Sequence, residues 1–303
     1  MIVKSLKLKN FRNYNLLNLE FDAATNIFYG DNAQGKTNIL ESIYLSGTTK
    51  SHRGTKDRDL IQFGHEEAHI ETVVEKNGVP FQIDIHLKKN SPKGIAINKI
   101  PIRKASELFG IINIVFFSPE DLNIIKNGPA ERRRFIDLEL SQLDKLYLSD
   151  LSNYNRILNQ RNKLLKDICY REDLLETLEI WDIQLSQYGN KIIERRKQFI
   201  EQVNNIISEV HSKLTGGREQ LKLYYEPGIG NLEFEKALQK HRERDIRMKS
   251  TSVGPHRDDI CFMTNELDIR KFGSQGQQRT AALSLKLSEI ALVKEIIKDS
   301  PIL

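Results

Sequence analysis

The chain has 303 residues, of which 39% are hydrophobic and 29% are charged, and its formal net charge is +5. This length suffices for one large domain or two ordinary ones, with a core that needs no covalent staples. No apolar run is long enough to span a membrane, and the alternating, polar N-terminus is unlike a signal peptide, so neither membrane insertion nor secretion is expected. The positive charge favours an anionic partner such as nucleic acid.

The cysteine content indicates a reducing compartment. Two cysteines, Cys169 and Cys261, lie far apart in the sequence and lack the spacing of metal ligands. This argues against a disulfide framework or a zinc site and predicts a cytoplasmic protein.

The first part of the chain predicts β-strands. Apolar residues recur at even spacing in two runs: Ile2, Leu6 and Leu8, then Leu17, Leu19 and Phe21. This spacing places each set on one face of a strand. The run Thr25–Tyr29 predicts a short buried strand that ends at Gly30, and from residue 35 to residue 46 the apolar spacing becomes helical.

Residues 66–102 predict further strands, with a hairpin turn at the Asn77-Gly78 pair, because that pair favours the tight turns that join antiparallel strands. Ile111–Phe117 is a β-branched and aromatic run that ends at Ser118-Pro119.

A long helical segment is predicted over residues 130–214. It contains no proline and a single glycine, and its apolar residues recur at intervals of three and four. A break between helices is predicted near Tyr170-Arg171, loops and strands follow from Gly216-Gly217, and another helix is predicted over residues 275–298. The pattern as a whole predicts a mixed α/β fold interrupted by a helical insertion.

The segment from residue 30 to residue 37 matches the phosphate-binding pattern G-x-x-x-x-G-K-[ST] at every required position. Its residues are Gly30, Asp31, Asn32, Ala33, Gln34, Gly35, Lys36 and Thr37. The glycines let the backbone curl so that its N–H groups face phosphate oxygens, and the positive end of the following helix strengthens that field. Lys36 would contact the β- and γ-phosphates, and the Thr37 hydroxyl would complete the shell of Mg²⁺. ATP and Mg²⁺ are therefore the expected cofactors.

A second segment, Phe272–Thr280, places Ser274 and Gly276 directly before a predicted helix. Alone, this arrangement is typical of an ordinary helix N-cap. Together with the phosphate loop it resembles the signature loop of ABC-type ATPases, which one subunit closes on the γ-phosphate held by the other. The helical segment between the two loops resembles that of SMC-type heads and is longer than the insertion of membrane transporters.

Six stretches, spread over nearly the whole chain, resemble the RecF family of bacterial recombination mediators in the expected order. They are Leu8–Tyr14, Gly30–Leu40, Phe117–Leu122, Arg132–Asp137, Val253–Asp259 and Gly273–Thr280. The resemblance implies an α/β fold of the ABC-type ATPase head, SMC-like but without a long coiled coil. It also implies an ATP-dependent homodimer with slow hydrolysis that binds gapped or junction DNA and helps load RecA together with RecO and RecR.

The resemblance assigns nucleotide-binding residues. Gly30–Thr37, with Asn38 beside it, would bind ATP, and Lys36 would be the catalytic lysine. Arg12 would be the arginine that SMC-type heads offer to the phosphates, although an ordinary surface arginine after a strand remains an alternative.

The resemblance also assigns the signature residues. Ser274 and Gly276 would act in trans across the dimer, and Gln277 could cap their helix. Phe117–Leu122 lies where a Q-loop belongs, but it contains no glutamine, so the metal-sensing role stays open.

The implied domains are an ATPase domain, 1–117 with 215–303, and a helical lever-arm domain, 118–214. Ser300–Leu303 resembles the start of the strand that leads, in these ATPases, into paired acidic residues. A chain that stops inside a core strand exposes unpaired backbone groups. The chain is therefore expected to be truncated at its C-terminus and to bind ATP with little or no hydrolysis.

Three charged features have two interpretations each. The cations between residues 88 and 104 could bind DNA phosphates or protect an edge strand; they are Lys88, Lys89, Lys93, Lys99, Arg103 and Lys104. Arg132–Arg134 open a predicted helix, where cations oppose the dipole, so they indicate either an anionic partner or local salt bridges. Adjacent strand residues point to opposite faces, so the side chains of His256–Asp259 are not expected to converge on one site. The segment is therefore interpreted as a structural or subunit-contact loop.

Two other classes of protein also contain a phosphate loop but fit the rest of the sequence less well. A P-loop phosphotransferase acting on a small molecule would leave Gly273–Thr280 without a role. The ATP-binding subunit of a membrane transporter is disfavoured by the long helical segment and by the missing Q-loop glutamine.

Overall fold

The computed structural model describes residues 1–168, 170–230 and 232–303. The chain forms two compact units, one of residues 1–116 and 293–303 and the other of residues 117–292. The second unit contains the predicted lever arm together with residues 215–292, so the assignment of the latter to the ATPase domain stays a prediction. Cys169 lies outside the described residues, and Cys261 is a buried free thiol.

The first unit is built on an antiparallel sheet with the order β2-β1-β3-β4-β5-β6. Its strands are β1 Ile2–Phe11, β2 Tyr14–Glu20, β3 Glu67–Lys76, β4 Val79–Lys88, β5 Ser91–Ile97 and β6 Ile100–Pro101. The even spacing seen in the sequence is confirmed, because Leu6 and Leu8 are fully buried. The predicted hairpin is confirmed as well, with positive φ angles of 51° at Asn77 and 77° at Gly78, as a type I′ turn requires.

Helix α1, Lys36–Thr48, packs on the buried face of this sheet. Ile39 and Ile43 enter the core, and the Ser46 hydroxyl lies 2.8 Å from the Thr72 hydroxyl. A Cβ on Gly47 would lie 2.6 Å from Ile114 Cδ1, so the glycine permits close packing of the helix. The packing of its C-terminal half fixes α1, and the first two residues of the helix, Lys36 and Thr37, are the last two of the phosphate loop.

The predicted strand Thr25–Tyr29 is wrong. The run has no strand hydrogen bonds in the described part of the chain, and the side chains of Ile27 and Tyr29 are 79% and 92% exposed. An extended run needs a neighbouring strand for its backbone groups, and apolar composition alone does not supply one. Residues of this run instead line an open cavity of about 830 Å³ together with Leu40 and Ile302.

The predicted C-terminal strand has one parallel neighbour. Ile302 bridges to Ile114; its N–H donates to the Asn113 carbonyl at 3.0 Å, and its carbonyl accepts from Val115 N–H at 2.9 Å. Ile112 and Ile114 of the β-branched run therefore lie in the core of the first unit, beside this segment.

The second unit is largely helical. Its elements are α2 Leu122–Lys126, α3 Pro129–Leu143, α4 Lys145–Asp167, α5 Leu178–Thr215, β7 Leu221–Glu226, α6 Phe234–Met248, β8 Asp259–Thr264, β9 Leu267–Asp268, α7 Ile269–Phe272 and α8 Gln275–Ile297, the last of which extends into the first unit's residues. The helical segment and its break near Tyr170-Arg171 are confirmed, as is the helix predicted from residue 275. No described helix has the length and apolarity needed to cross a membrane.

The single glycine of the helical segment has a packing role. A Cβ on Gly189 would lie 2.3 Å from the Phe234 ring and 3.3 Å from the Tyr154 ring. Helix α5 therefore approaches both aromatic rings closely, and these rings belong to the core of the second unit.

Candidate nucleotide-binding site

The phosphate loop has a backbone that depends on its glycines. Gly30, Ala33 and Gly35 have positive φ angles of 137°, 66° and 99°, a region that side chains disfavour. A Cβ on Gly35 would lie 2.6 Å from the Asn13 amide atoms and 2.8 Å from the Tyr14 hydroxyl. Gly35 is thus required by both its conformation and its surroundings, whereas Gly30 has open space around its Cα.

Lys36 lies over the centre of the loop. Its ammonium group donates to the carbonyl oxygens of Gly30 at 2.7 Å and of Asp31 at 2.6 Å. The side chain is therefore turned back onto the first residues of the loop. The loop residues before Gly35 are exposed, which leaves the loop open to a nucleotide.

A cavity of about 350 Å³ opens beside the loop, within the range of known small-molecule sites. Its walls consist of Asn32, Ala33, Gly35, Lys36, Thr37, Asn38 and Arg53. No acidic residue is among them, so the cavity suits a polyphosphate. Thr37 stands exposed at the start of α1, where its hydroxyl can reach a metal bound to that polyphosphate.

Two neighbouring residues hold the loop in place. Asn13 Nδ2 donates to the Gln34 backbone carbonyl at 3.1 Å, and Asn38 Nδ2 donates to the side-chain Oδ1 of Asn13 at 2.8 Å. The Tyr14 hydroxyl also donates to the Gln34 carbonyl, at 3.3 Å. The turn between β1 and β2 therefore supports the loop from outside.

Arg12 is fixed by a carboxylate. Its Nε and Nη2 donate to the two carboxylate oxygens of Glu41 at 2.9 Å and 2.8 Å, and its Nη1 donates to the Asp59 carbonyl at 3.1 Å. Burial alone would raise the pKa of Glu41, but hydrogen bonds from Arg12 and Ser51 outweigh it and hold that pKa below its usual value. The guanidinium of Arg12 is thus bonded to Glu41 and to the Asp59 carbonyl. Its role toward phosphates stays a prediction.

Sequence reasoning missed Glu41 and Arg53. Glu41 stands between Ile39 and Ile43 on the buried face of α1, and a carboxylate on an apolar helix face is a signal that could have revealed it. Arg53 lies 3.8 Å from Glu41 and 3.5 Å from Asn38, and it lines the phosphate cavity. Its position in an irregular loop after α1 gave no pattern to recognise.

The signature segment, in the second unit, forms a reciprocal cap. The Ser274 N–H donates to Gln277 Oε1 at 2.8 Å, and the Gln277 N–H donates to Ser274 Oγ at 3.2 Å. The capping role expected of Gln277 is therefore confirmed, and the arrangement is a capping box. Ser274 and Gly276 are both exposed.

The chain's own packing does not require the glycine at position 276. A Cβ there would meet only Ser274 Oγ, at 3.8 Å, which is an ordinary contact. Glycine inside a helix is less favourable than alanine by about 1 kcal/mol. Gly276 thus leaves an accessible, uncovered stretch of helix backbone, as close approach of a phosphate would need.

The segment Phe117–Leu122 forms a small pocket and contains no glutamine. Asp121 accepts from Ser118 N–H at 2.8 Å, and Phe117, Asp121 and Lys286 help line a cavity of about 310 Å³. Burial raises the pKa of Asp121.

His256–Asp259 forms a structural loop in which Asp258 is buried. Asp258 accepts from Arg196 at 2.6 Å and from Gly228 N–H at 2.7 Å. His256 bonds the Tyr154 hydroxyl at 2.7 Å and the Thr251 carbonyl at 3.0 Å, and burial lowers the pKa of His256 to about 4. These contacts support the structural interpretation.

Some residues of the two basic stretches form ion pairs within the described part of the chain, and others do not. Arg132 is buried and forms an ion pair with Asp259, which favours the salt-bridge interpretation over an anionic partner for this arginine. Lys89 pairs with Glu66 at 2.8 Å and Lys93 with Asp57 at 3.0 Å. Within the described residues, no ion pair is formed by the remaining cations of that stretch; they are Lys88, Lys99, Arg103 and Lys104.

Comparison with known proteins gives a consistent result. Residues 5–215 match the family model of an AAA domain. The chain is 65% identical over 303 residues to the DNA replication and repair protein RecF of Agathobacter rectalis, covering all of this chain and 84% of that protein. It is 60% identical over 303 residues to the protein of the same name from Lachnoclostridium phytofermentans, again covering all of this chain and 84% of the relative.

Solved structures agree with the sequence relatives. The recombination mediator protein RecF-ATP in the RecFOR pathway matches with a TM-score of 0.94 and 38% identity, over 99% of this chain and 83% of that chain. An Smc head domain from Pyrococcus furiosus matches with a TM-score of 0.52 and 16% identity, over 99% of this chain and 88% of that chain. The latter likeness concerns the fold alone, and it confirms the predicted SMC-like ATPase head. The chain therefore belongs to the RecF family of DNA replication and repair proteins.

Proposed function

We propose that this chain binds ATP with Mg²⁺ at Gly30–Thr37 and dimerises on ATP at gapped or junction DNA to help load RecA together with RecO and RecR. The observation that carries the proposal is the phosphate loop, in which Lys36 points into a curl of backbone beside a cavity without carboxylates. Since the substrate would be the bacterial chromosome, the proposed place of action is the cytoplasm.

The roles of the loop residues follow from their positions. Backbone N–H groups from residue 31 to residue 37 would bind phosphate oxygens, and Lys36 would move from its carbonyl partners to the β- and γ-phosphates. The Thr37 hydroxyl would hold Mg²⁺, which when bound neutralises charge on the phosphates. Arg53 lines the same cavity and would also contact the nucleotide.

Dimerisation would use the signature segment. Ser274 and Gly276 are exposed on the first turn of α8, where the helix dipole favours an anion. We propose that each copy presents this turn to the γ-phosphate bound by its partner, so that ATP holds the dimer together and loss of the γ-phosphate releases it. In this scheme the ATPase domain comprises 1–117 and 215–303, and the lever arm 118–214.

Hydrolysis would be slow. No carboxylate lines the phosphate cavity among the described residues, so a group that activates water is not supplied there. We propose that the chain binds ATP with little turnover and that hydrolysis by ATPases of this family is slow and depends on DNA.

DNA binding would be electrostatic. Four cations lie on or beside strands β4 to β6, and the whole chain carries a net charge of +5. They are the exposed residues Lys88, Lys99, Arg103 and Lys104. Contacts of such cations with phosphates release counterions, so the affinity should fall steeply with salt.

Light scattering tests the proposal. The wild-type chain should double its mass when Mg·ATP is added, and Lys36→Met and Ser274→Arg should both prevent this. Only Lys36→Met should abolish nucleotide binding, because Ser274 acts on the partner's ATP. A P-loop phosphotransferase would bind ATP without doubling its mass, so an unchanged mass for wild type would favour that alternative.

A further inference from the structure

A cluster of potential metal ligands lies on the sheet of the first unit. His69 and Glu71 belong to β3, and Asp84 and His86 belong to β4; in the antiparallel register His69 opposes His86, and Glu71 opposes Asp84. Alternate residues of a strand share one face. Ile70, between His69 and Glu71, and Ile85, between Asp84 and His86, are buried on the other face, so the four polar side chains share the partly exposed face.

The ligand atoms converge. One potential ligand atom from each of His69, Glu71 and Asp84, an imidazole nitrogen or a carboxylate oxygen, lies within 4.8 Å of the other two. His69 Nε2 is 3.4 Å from Asp84 Oδ1, which is longer than an ordinary N–H···O hydrogen bond of about 2.7–3.2 Å. A tetrahedral zinc ion with ligand bonds of about 2.0–2.2 Å sets its ligand atoms about 3.3–3.5 Å apart. The separation of these two atoms suits two ligands of one zinc ion.

We propose that His69, Glu71 and Asp84 form a zinc-binding site. An imidazole nitrogen and two carboxylate oxygens are ligands that zinc accepts, and the fourth position would be taken by water. The three side chains are partly exposed, so an ion can enter from solvent. None of them lines the phosphate cavity, so the site does not depend on the proposed nucleotide binding.

Neighbouring residues orient and compete for these ligands. Gln82 Nε2 donates to both carboxylate oxygens of Asp84, at 3.2 Å and 3.1 Å, an outer contact of the kind that tunes metal affinity. Lys7 Nζ lies 2.8 Å from Glu71 Oε1 and must release this carboxylate when zinc binds. His86 pairs with Glu67 at 3.1 Å and stands beside the site.

The expectation against a zinc site rested on the spacing of the cysteines, and this cluster contains none. The ligands alternate along two strands and meet only through the strand register. Spacing along the chain does not show that register.

Calorimetry with Zn²⁺ alone tests the site. The tag-free chain, treated with EDTA and exchanged into a non-chelating buffer without nucleotide, should bind one zinc ion per chain. His69→Asn and Asp84→Asn should each weaken binding by about tenfold or more, and Gln82→Met by about tenfold. His65→Asn, which removes a histidine of the same unit outside the cluster, should bind zinc as wild type does. Circular dichroism confirms that each variant is folded.

The zinc affinity of Lys7→Met distinguishes a metal site from a cluster of charged side chains that is purely structural. Lys7→Met frees Glu71 from its ion pair and should tighten zinc binding several-fold, whereas a purely structural cluster would gain nothing. Replacement of zinc by Co²⁺ should give the visible absorption of a tetrahedral ion, and His69→Asn should remove it. Absence of stoichiometric zinc uptake, or equal uptake by wild type, His69→Asn and Asp84→Asn, would overturn the proposal. Unchanged zinc affinity in Lys7→Met would overturn the assignment of Glu71 as a ligand.

Discussion

Arg12 and Glu41 form a two-point ion pair between the residue that follows β1 and the buried face of α1. Arg12 Nε and Nη2 lie 2.9 Å and 2.8 Å from the two Glu41 carboxylate oxygens, and the Glu41 side chain is fully buried. The pair ties the central sheet to the helix that begins at the phosphate loop. It therefore couples the packing of the first unit to the geometry of the candidate site.

We expect Arg12→Ala to destabilise the chain by about 3 kcal/mol, because it leaves the buried Glu41 carboxylate without its main partner. Urea unfolding without nucleotide measures this loss. Arg58→Ala is the matched control, since Arg58 is an exposed arginine paired with Asp59 at 3.6 Å and should cost less than about 1 kcal/mol. Equal effects of the two variants would contradict the structural role of the pair.

Acidification should destabilise the second unit through His256. Burial lowers the pKa of this imidazole to about 4, below the value of about 6.5 in an unfolded chain. Between these values the unfolded state binds more protons, so stability falls as the pH drops from about 6.5 to 4, by up to about 3 kcal/mol. Urea midpoints across this range should fall more for wild type than for His256→Asn, and parallel curves would contradict the assignment.

Gly35→Ala should abolish ATP binding. A Cβ at this position would enter the Asn13 side chain at 2.6 Å, and its φ of 99° is strained for any other residue. Gly64→Ala is the control, because Gly64 has a φ of 87° with open space around it and lies outside the loop. Fluorescent-nucleotide binding should be lost in the first variant and kept in the second; retention in both would show that the loop tolerates the side chain.

Gly276→Ala should separate folding from assembly. The new methyl group meets nothing closer than 3.8 Å within the chain, so the thermal midpoint should stay equal or rise, with a gain of up to about 1 kcal/mol. ATP-dependent dimerisation, followed by light scattering, should weaken because the methyl group intrudes on the partner's phosphate. A variant that dimerises as wild type does would place the signature turn outside the interface.

Local patterns of the sequence predicted much of the fold. The Asn77-Gly78 hairpin, the helices of residues 130–214 and the start of α8 at Gln275 each depend on residues close together in the chain. The phosphate loop was recognisable for the same reason, since its function needs particular residues at consecutive positions.

Features that depend on tertiary partners escaped prediction. Thr25–Tyr29 has the composition of a buried strand but lacks a hydrogen-bonded neighbour in the described chain. Arg132 meets Asp259 across 127 positions, and Glu41 meets Arg12 only after α1 packs on the sheet. Such pairings are set by the fold, and a single sequence contains no local signal for them.

Titration calorimetry of Mg·ATP into the folded chain tests the central claim most directly. Wild type should show saturable binding at one site per chain, and Lys36→Met, with an unchanged melting temperature, should show none. Absence of binding to folded wild-type protein, or equal binding by Lys36→Met, would contradict the assignment of the loop at Gly30–Thr37.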